Sequence, residues 1–125
     1  NQRDPQPGDL IEIFCVGYQH WAVYIGGGYV VHLTVPTGGV ISSGSGPGRD
    51  NKKGIVRKNT LKDAVQDCEW KINNLLEDKY IPRDAYVIVK EALRLVGTEH
   101  QYHLLGKNCE HFATKLRYGQ GESRQ

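Results

Sequence analysis

Two short β-prone segments separated by three consecutive glycines constrain the fold of this chain more than any other feature. The segments run over 20–25 and 29–33, and Gly26, Gly27 and Gly28 lie between them. Glycine adopts the positive φ angles that tight turns between antiparallel strands need. The pattern therefore predicts a β-hairpin, and a loop of all three glycines would pair Ile25 with Tyr29.

Each strand of this hairpin carries one histidine, His20 or His32. With a three-residue loop, Ala22 faces His32, and His20 lies on the same face as a diagonal neighbour about 7–8 Å away. A loop of two or four residues would put the imidazoles on opposite faces. A lone histidine in a strand is usually structural. The pair therefore indicates a catalytic site only if an activated cysteine lies beside it.

The rest of the chain predicts an α+β order, with an antiparallel sheet first and helices mainly later. Further strands are expected at 9–14, 54–58 and 69–73, and helices at 61–66, 84–96 and 109–118. Thr60 has the chemistry of an N-cap for the first helix. In the second helix Val89, Leu93 and Val96 are expected to face the core, and Gly97 to end it.

Length and composition indicate one globular domain. The chain has 125 residues, of which 38% are hydrophobic and 24% charged, and it contains no apolar run of the roughly 20 residues that cross a bilayer. We expect a polar arm over 1–8, the domain over 9–119 and a polar end over 120–125. The segment 34–54, rich in glycine, proline and serine, predicts a loop with one short strand at 40–42.

The charge distribution argues against nucleic acid as a partner, because the net charge is only +2. One stretch is nonetheless basic. It is interpreted either as a solvated loop and strand edge or as a surface that attracts anionic lipid headgroups. Its basic residues are Arg49, Lys52, Lys53, Arg57, Lys58 and Lys62.

Three cysteines occur, Cys15, Cys68 and Cys109. An odd count without a secretory signal favours free thiols in a reducing compartment, and hence a cytoplasmic protein. Cys15 and Cys68 have no setting that would activate a thiol, and both are interpreted as structural.

Cys109 stands at the start of the last predicted helix, with Asn108 as its N-cap. There the helix dipole and the unpaired backbone amides favour the thiolate, which is the nucleophilic form. The same amides can stabilise an oxyanion. The alternative is a small buried residue that packs with Phe112 and Leu116. His111 points away from Cys109 around the helix and is a poor candidate for the base.

A metal-binding module is the other interpretation of the C-terminal histidines. It would combine Cys109 with His100, His103 and His111. The spacing fits no common zinc motif, and His100 and His103 are expected in a surface loop. We therefore expect neither a metal nor a cofactor.

Several motifs together resemble the lecithin:retinol acyltransferase-like family, and within it the phospholipase A/acyltransferase (H-rev-type) group. The most specific is Asn108-Cys-Glu-His-Phe112, and it occurs with His20-Trp-Ala-Val-Tyr and Gly28-Tyr-Val-Val-His32. The segments 7–14, 56–74 and 116–119 extend the resemblance over most of the chain. Cys15 departs from it where an arginine is common, and Gly27 where an acid is usual.

The resemblance implies a permuted papain-like fold, with the histidines before the cysteine. It implies that Cys109 is the nucleophile, that His20 is the general base and that His32 orients His20. It also suggests Tyr18 as part of the oxyanion site, a role that Asn108 could share.

The implied activity is thiol-dependent hydrolysis of phospholipid acyl esters and acyl transfer, including N-acylation of phosphatidylethanolamine. The implied partners are glycerophospholipids, with phosphatidylcholine as acyl donor and phosphatidylethanolamine as acceptor, and a membrane surface. We expect a cytoplasmic monomer. The family's hydrophobic C-terminal tail is missing from this sequence, which ends in polar residues at Gln125. We expect a form that carries this tail to associate with membranes. The alternative is a papain-like peptide or isopeptide hydrolase.

Overall fold

A computed structural model describes residues 3–35, 53–101 and 108–119. The predicted α+β class with an antiparallel sheet is confirmed. In chain order the elements are β1 (Leu10–Cys15), β2 (Tyr18–Gly26), β3 (Tyr29–Thr34), β4 (Lys53–Thr60), α1 (Leu61–Val65), β5 (Glu69–Ile72), α2 (Ala85–Leu95), β6 (Glu99–Gln101) and α3 (Asn108–Tyr118).

The strands of the described residues form one sheet in the order β5-β1-β2-β3-β4-β6, and each neighbouring pair is antiparallel. The ends of the predicted 34–54 loop belong to strands, since β3 includes Thr34 and β4 begins at Lys53. The middle of that loop, with the expected strand at 40–42, lies outside the described residues, as do Arg49, Lys52, His103 and 120–125.

Strand β6 is an error of the sequence prediction, which expected a surface loop around His100. Ile55 of β4 pairs with Glu99, and Gly54 pairs with His100. The segment is short and mostly polar, so it carries no alternation of apolar residues that would have indicated a strand. The segment nevertheless pairs along the edge of β4, where its backbone groups form the last ladder of the sheet.

Helices cover both faces of the sheet. On one face α2 and α3 bury Trp21, Val31 and Leu33, and on the other α1 packs over Ala22 and Val30. The expected N-cap of α1 is confirmed, because the backbone N–H of Asp63 donates to the Thr60 hydroxyl at 3.0 Å. The sheet therefore forms the middle layer, and residues alternate along each strand between the two cores.

The buried face of α2 differs from the prediction. Ile88 and Ala92 are buried, and Leu95 packs on the same core, whereas Leu93 and Val96 are 43% and 38% exposed. Apolar residues form two neighbouring stripes on this helix, one with Ile88 and Ala92 and one with Leu93 and Val96. Periodicity alone did not show which of the two stripes faces the core. The stripe containing Ala92 faces inward, where Ala92 packs in the core that also holds Ala113 and Leu116 of α3.

The C-terminal end of α3 is fixed by polar contacts. Arg117 donates to the carbonyl oxygen of Gly8 at 2.8 Å and to the carboxylate of Glu77 at 3.0 Å. The backbone N–H of Leu76 donates to the Tyr118 hydroxyl at 3.2 Å. These bonds join the end of the helix to the segment before β1 and to the segment after β5. No helix of the described residues is long and apolar enough to span a bilayer.

Candidate active site

The two hairpin histidines lie side by side. Their ring centroids are 5.0 Å apart, and the Nε2 atom of His20 lies 2.8 Å from the Nδ1 atom of His32. The rings meet at 60°, so they touch edge to face while sharing a hydrogen bond. The structure thus brings together the two residues that the hairpin pattern singled out.

The turn that produces this arrangement is not the predicted one. Tyr29 pairs with Gly26 and not with Ile25, so only Gly27 and Gly28 form the turn. A β-bulge between Tyr24 and Gly26 adds one residue to β2. The bulge offsets the shorter turn, so the pairs further along, Val23 with Val31 and Tyr24 with Val30, keep the predicted register. The expected loop length was wrong, but the shared face of the histidines follows from the bulge.

Strand β4 supplies a residue that the sequence interpretation missed. The Nε2 atom of His32 lies 2.8 Å from the Oδ1 atom of Asn59. Arg57 pairs directly with His32 in the register of the two strands. Period-two alternation places Asn59 and Arg57 on one face of β4, but only the pairing of β3 with β4 reveals that this face meets His32.

Burial keeps both imidazoles neutral. Desolvation, with a smaller repulsion from His32, lowers the pKa of His20 to about 3. Desolvation also lowers the pKa of His32, and the positive charge of Arg57 acts in the same direction. The hydrogen bond to Asn59 opposes that shift without cancelling it. At neutral pH both rings therefore act as uncharged donor–acceptor groups.

The thiol of Cys109 lies against strand β2. Cys109 is the second residue of α3 and is buried. Backbone hydrogen bonds reach its sulfur from Trp21, from Cys109 itself and from Glu110. Trp21 directly follows His20 in β2, so the thiol reaches the strand one residue from the histidine pair.

The expected stabilisation of the thiolate is wrong for the resting structure. Burial raises the pKa of the Cys109 thiol, and the negative charge of Glu110 adds to that effect. The backbone N–H groups of Trp21, Cys109 and Glu110 lower it, but by less than burial raises it. The position at the helix start was visible in the sequence, whereas the loss of water around the sulfur was not.

The other residues singled out from the sequence differ in their surroundings. Tyr18 begins β2, pairs with Cys15 and is 63% exposed. Asn108 is the first residue of α3 rather than a cap before it, and His111 is exposed on the same helix. His100 lies on β6, where its Nε2 atom is 2.8 Å from the Thr98 hydroxyl and its ring faces Phe112. None of these contacts involves the histidine pair.

Cys15 and Cys68 form a disulfide, which corrects the expectation of free thiols throughout. Cys109 is the free cysteine. The bond joins the end of β1 to the turn before β5, two strands that are hydrogen-bonded neighbours, so its role is structural as expected. A disulfide is typical of oxidising compartments, and the cysteine count therefore no longer supports a cytoplasmic location.

A groove of about 480 Å³ runs along α3, from Asn108 to Leu116. Its lining is partly apolar and partly charged, and it includes one acid, Glu91, which forms an ion pair with Arg94. The remaining cations suit a ligand with both a hydrocarbon and an anionic portion. Cys109, His20 and His32 are not among the described residues that line it. Among the described residues the apolar walls are Leu33, Leu95, Phe112 and Leu116, and the cations are Arg83, Arg94 and Lys115. Asn108, the neighbour of Cys109, also lines it.

The described residues hold no group of three or more His, Cys, Asp or Glu side chains that could bind a metal ion.

Comparison with known proteins identifies the family. A family model described as lecithin retinol acyltransferase matches residues 3–122. This chain belongs to that family. The resemblance of the Asn108–Phe112 and hairpin motifs is thereby confirmed.

Several known proteins are similar over almost the whole chain. Human phospholipase A and acyltransferase 4 is 44% identical over 129 residues, covering 98% of this chain and 76% of its own length. Human phospholipase A and acyltransferase 1 is 43% identical over 122 residues, covering 98% and 73%. Human phospholipase A and acyltransferase 3 is 44% identical over 124 residues, covering 98% and 76%.

Proposed function

We propose that this protein is a phospholipase A and acyltransferase that forms an acyl-thioester on Cys109. The names of its relatives support the general activity. The observation that carries the chemical proposal is the hydrogen bond from the Trp21 backbone to the Cys109 sulfur. It brings a buried thiol to the backbone of β2 at the residue next to His20. The approach of the His20 ring to the sulfur is part of the proposal, because neighbouring side chains of a strand point to opposite faces. In this proposal the fold is a papain-like one in permuted order.

The first half-reaction transfers an acyl group to sulfur. His20 accepts the Cys109 proton while the sulfur attacks the ester carbonyl carbon of a glycerophospholipid. The carbon–oxygen ester bond then breaks, and His20 returns the proton to the departing lysophospholipid alcohol. An acyl-thioester remains on Cys109. Attack by water then breaks the carbon–sulfur bond and releases a fatty acid, whereas attack by the amine of phosphatidylethanolamine breaks the same bond and gives its N-acyl derivative. In both cases the proton lost by the nucleophile passes through His20 to the departing Cys109 sulfur.

The neutral resting state is compatible with this route. The low pKa of His20 and the raised pKa of Cys109 disfavour an ion pair before substrate binds. The thiol becomes more acidic as its sulfur bonds to the carbonyl carbon, so the proton moves during the attack. We propose that His32 keeps the accepting nitrogen of His20 directed at the thiol.

The amides around the sulfur are candidates for the oxyanion site. The backbone N–H groups of Trp21 and Glu110 already reach the Cys109 sulfur, and such donors stabilise charge that develops on a carbonyl oxygen. Tyr18 and Asn108 are proposed as supporting groups, Tyr18 through its position two residues before His20. The exposure of Tyr18 indicates that it would act after lipid covers this end of β2.

The groove beside α3 supports a lipid substrate. Leu95 and Phe112 offer apolar contact to an acyl chain, and Arg83 and Lys115 offer positive charge to a phosphate. We propose that phosphatidylcholine serves as acyl donor and phosphatidylethanolamine as acceptor at a membrane surface, and that the protein acts as a monomer.

A product assay tests the proposed function. The protein is incubated with mixed phosphatidylcholine and phosphatidylethanolamine vesicles, and lysophospholipid, fatty acid and N-acyl product are quantified by mass spectrometry. We expect all three from the wild type and none above background from Cys109→Ala. Cleavage of a peptide or isopeptide substrate, without lipid products, would instead identify a papain-like peptide hydrolase.

A further inference from the structure

A chain of two hydrogen bonds leads from His20 to Asn59. The Nε2 atom of His20 lies 2.8 Å from the Nδ1 atom of His32, and the Nε2 atom of His32 lies 2.8 Å from the Oδ1 atom of Asn59. His32 is 6% exposed, so water has little access to its bonds. The chain spans three adjacent strands, β2, β3 and β4.

The amide of Asn59 determines where each proton lies in this chain. A neutral imidazole has one N–H and one lone pair, and an amide oxygen only accepts hydrogen bonds. His32 must therefore carry its proton on Nε2 and accept at Nδ1. His20 in turn must donate from Nε2, which leaves its Nδ1 atom without a proton.

The reverse orientation of the Asn59 amide would exchange donor and acceptor in both hydrogen bonds. With the NH₂ group facing His32, the Nε2 atom of His32 would accept and its Nδ1 atom would donate. His20 would then accept at Nε2 and carry its proton on Nδ1. In that form Nδ1, the ring nitrogen outside this chain of bonds, could not take up a proton.

Arg57 supports the neutral state that this ordering needs. It pairs with His32 across β3 and β4, and its charge disfavours a second proton on that ring. A doubly protonated His32 would donate from both nitrogens and would break the ordering. Asn59 and Arg57 therefore act on the same ring from one strand, the first through a hydrogen bond and the second through charge.

We propose that Asn59 is a positioning residue whose side-chain oxygen fixes the tautomers of His32 and His20, so that Nδ1 of His20 is the proton-accepting nitrogen. The catalytic consequence rests on the proposed function. The tautomers themselves are a property of the folded chain and can be measured without substrate.

The test combines ¹⁵N NMR of the histidine rings with kinetics. In the wild type at pH 7 we expect both His20 and His32 to carry hydrogen on Nε2. In Asn59→Leu this tautomer preference is lost, and kcat for acyl transfer falls by about tenfold or more with little change in KM. Asn59→Asp keeps an oxygen acceptor, so it retains the tautomers at pH 8 and stays within about threefold of the wild-type kcat.

The pH profile separates positioning from a purely structural role. The carboxylate in Asn59→Asp favours a protonated His32, so the acid limb of kcat should move to higher pH than in the wild type. Lys58→Arg, which keeps the positive charge at the neighbouring exposed position of β4, is the matched control and should alter neither tautomers nor the profile.

Two results would overturn the inference. The first is a wild-type His20 that carries its proton on Nδ1, and the second is an Asn59→Leu variant with unchanged tautomers. Should Asn59→Leu fail to fold, the wild-type spectrum and the Asn59→Asp profile still decide the question. A wild type with the expected tautomers but without lipid turnover would support the positioning role and contradict the proposed function.

Discussion

The Nε2 atom of His20 lies 2.8 Å from the Nδ1 atom of His32, and this contact depends on a β-bulge. The two-residue turn alone would put these rings on opposite faces of the hairpin. The extra residue in β2, between Tyr24 and Gly26, restores their common face. The site is thus built by backbone irregularity as much as by side-chain identity.

His32 should support His20 through hydrogen bonding rather than through charge. His32→Gln retains an amide oxygen that can accept from His20, whereas His32→Leu has no acceptor. We expect kcat to fall further in His32→Leu than in His32→Gln, by about tenfold. Steady-state kinetics of both variants, with circular dichroism to verify folding, measure the difference. Equal loss in the two variants would indicate that His32 acts only by packing.

Acid should destabilise the fold through His20. Its pKa is about 3 in the folded chain against an ordinary value of 6.5. Between those pH values the unfolded chain binds a proton that the folded chain does not, so stability falls as the pH decreases. The loss is about 1.4 kcal/mol per pH unit.

The variant His20→Gln isolates this contribution. From pH 6.5 to pH 5, urea denaturation should show about 2 kcal/mol more loss in the wild type than in the variant. Parallel pH dependence of the two proteins would mean that His20 titrates normally in the folded state.

Much of the site follows from sequence, and the exceptions have physical causes. The hairpin was predictable from alternation and its glycines, but the common face of His20 and His32 was expected from a loop length that proved wrong and depends on a β-bulge that no sequence signal revealed. Asn59 was not, because its role depends on the pairing of β3 with β4, whose connecting segment carries no register signal. The raised pKa of Cys109 was hidden for a different reason. The sequence indicates that Cys109 lies at the start of a helix. It does not indicate how far packing against β2 removes water from the Cys109 sulfur, and this burial raises the pKa.

The Cys15–Cys68 bond should contribute to stability. It closes a loop with a sequence separation of 53 residues, for which restriction of the unfolded chain gives about 4 kcal/mol as an upper value. Reduction with dithiothreitol should lower the melting temperature, and the Cys15→Ser/Cys68→Ser double variant should match the reduced wild type. An unchanged melting temperature after verified reduction would contradict this contribution.

The Cys109 thiol should react slowly near neutral pH. Because burial raises its pKa, the thiolate fraction at pH 7 is small. Alkylation by iodoacetamide should be slower than that of a free cysteine and should keep increasing up to at least pH 9. Mass spectrometry over a pH series measures the rate, with Cys109→Ser as the control. A rate that levels off below pH 7 would reveal an activated thiolate at rest.

The proposed chemistry requires that an acyl-thioester forms on Cys109. Intact-protein mass spectrometry after incubation with phosphatidylcholine vesicles tests it directly, with Cys109→Ala as the parallel sample. We predict a fatty-acyl mass increment on the wild type that hydroxylamine removes and that the variant lacks. An increment of the same size on Cys109→Ala, or lipid turnover by that variant at the wild-type rate, would contradict the account.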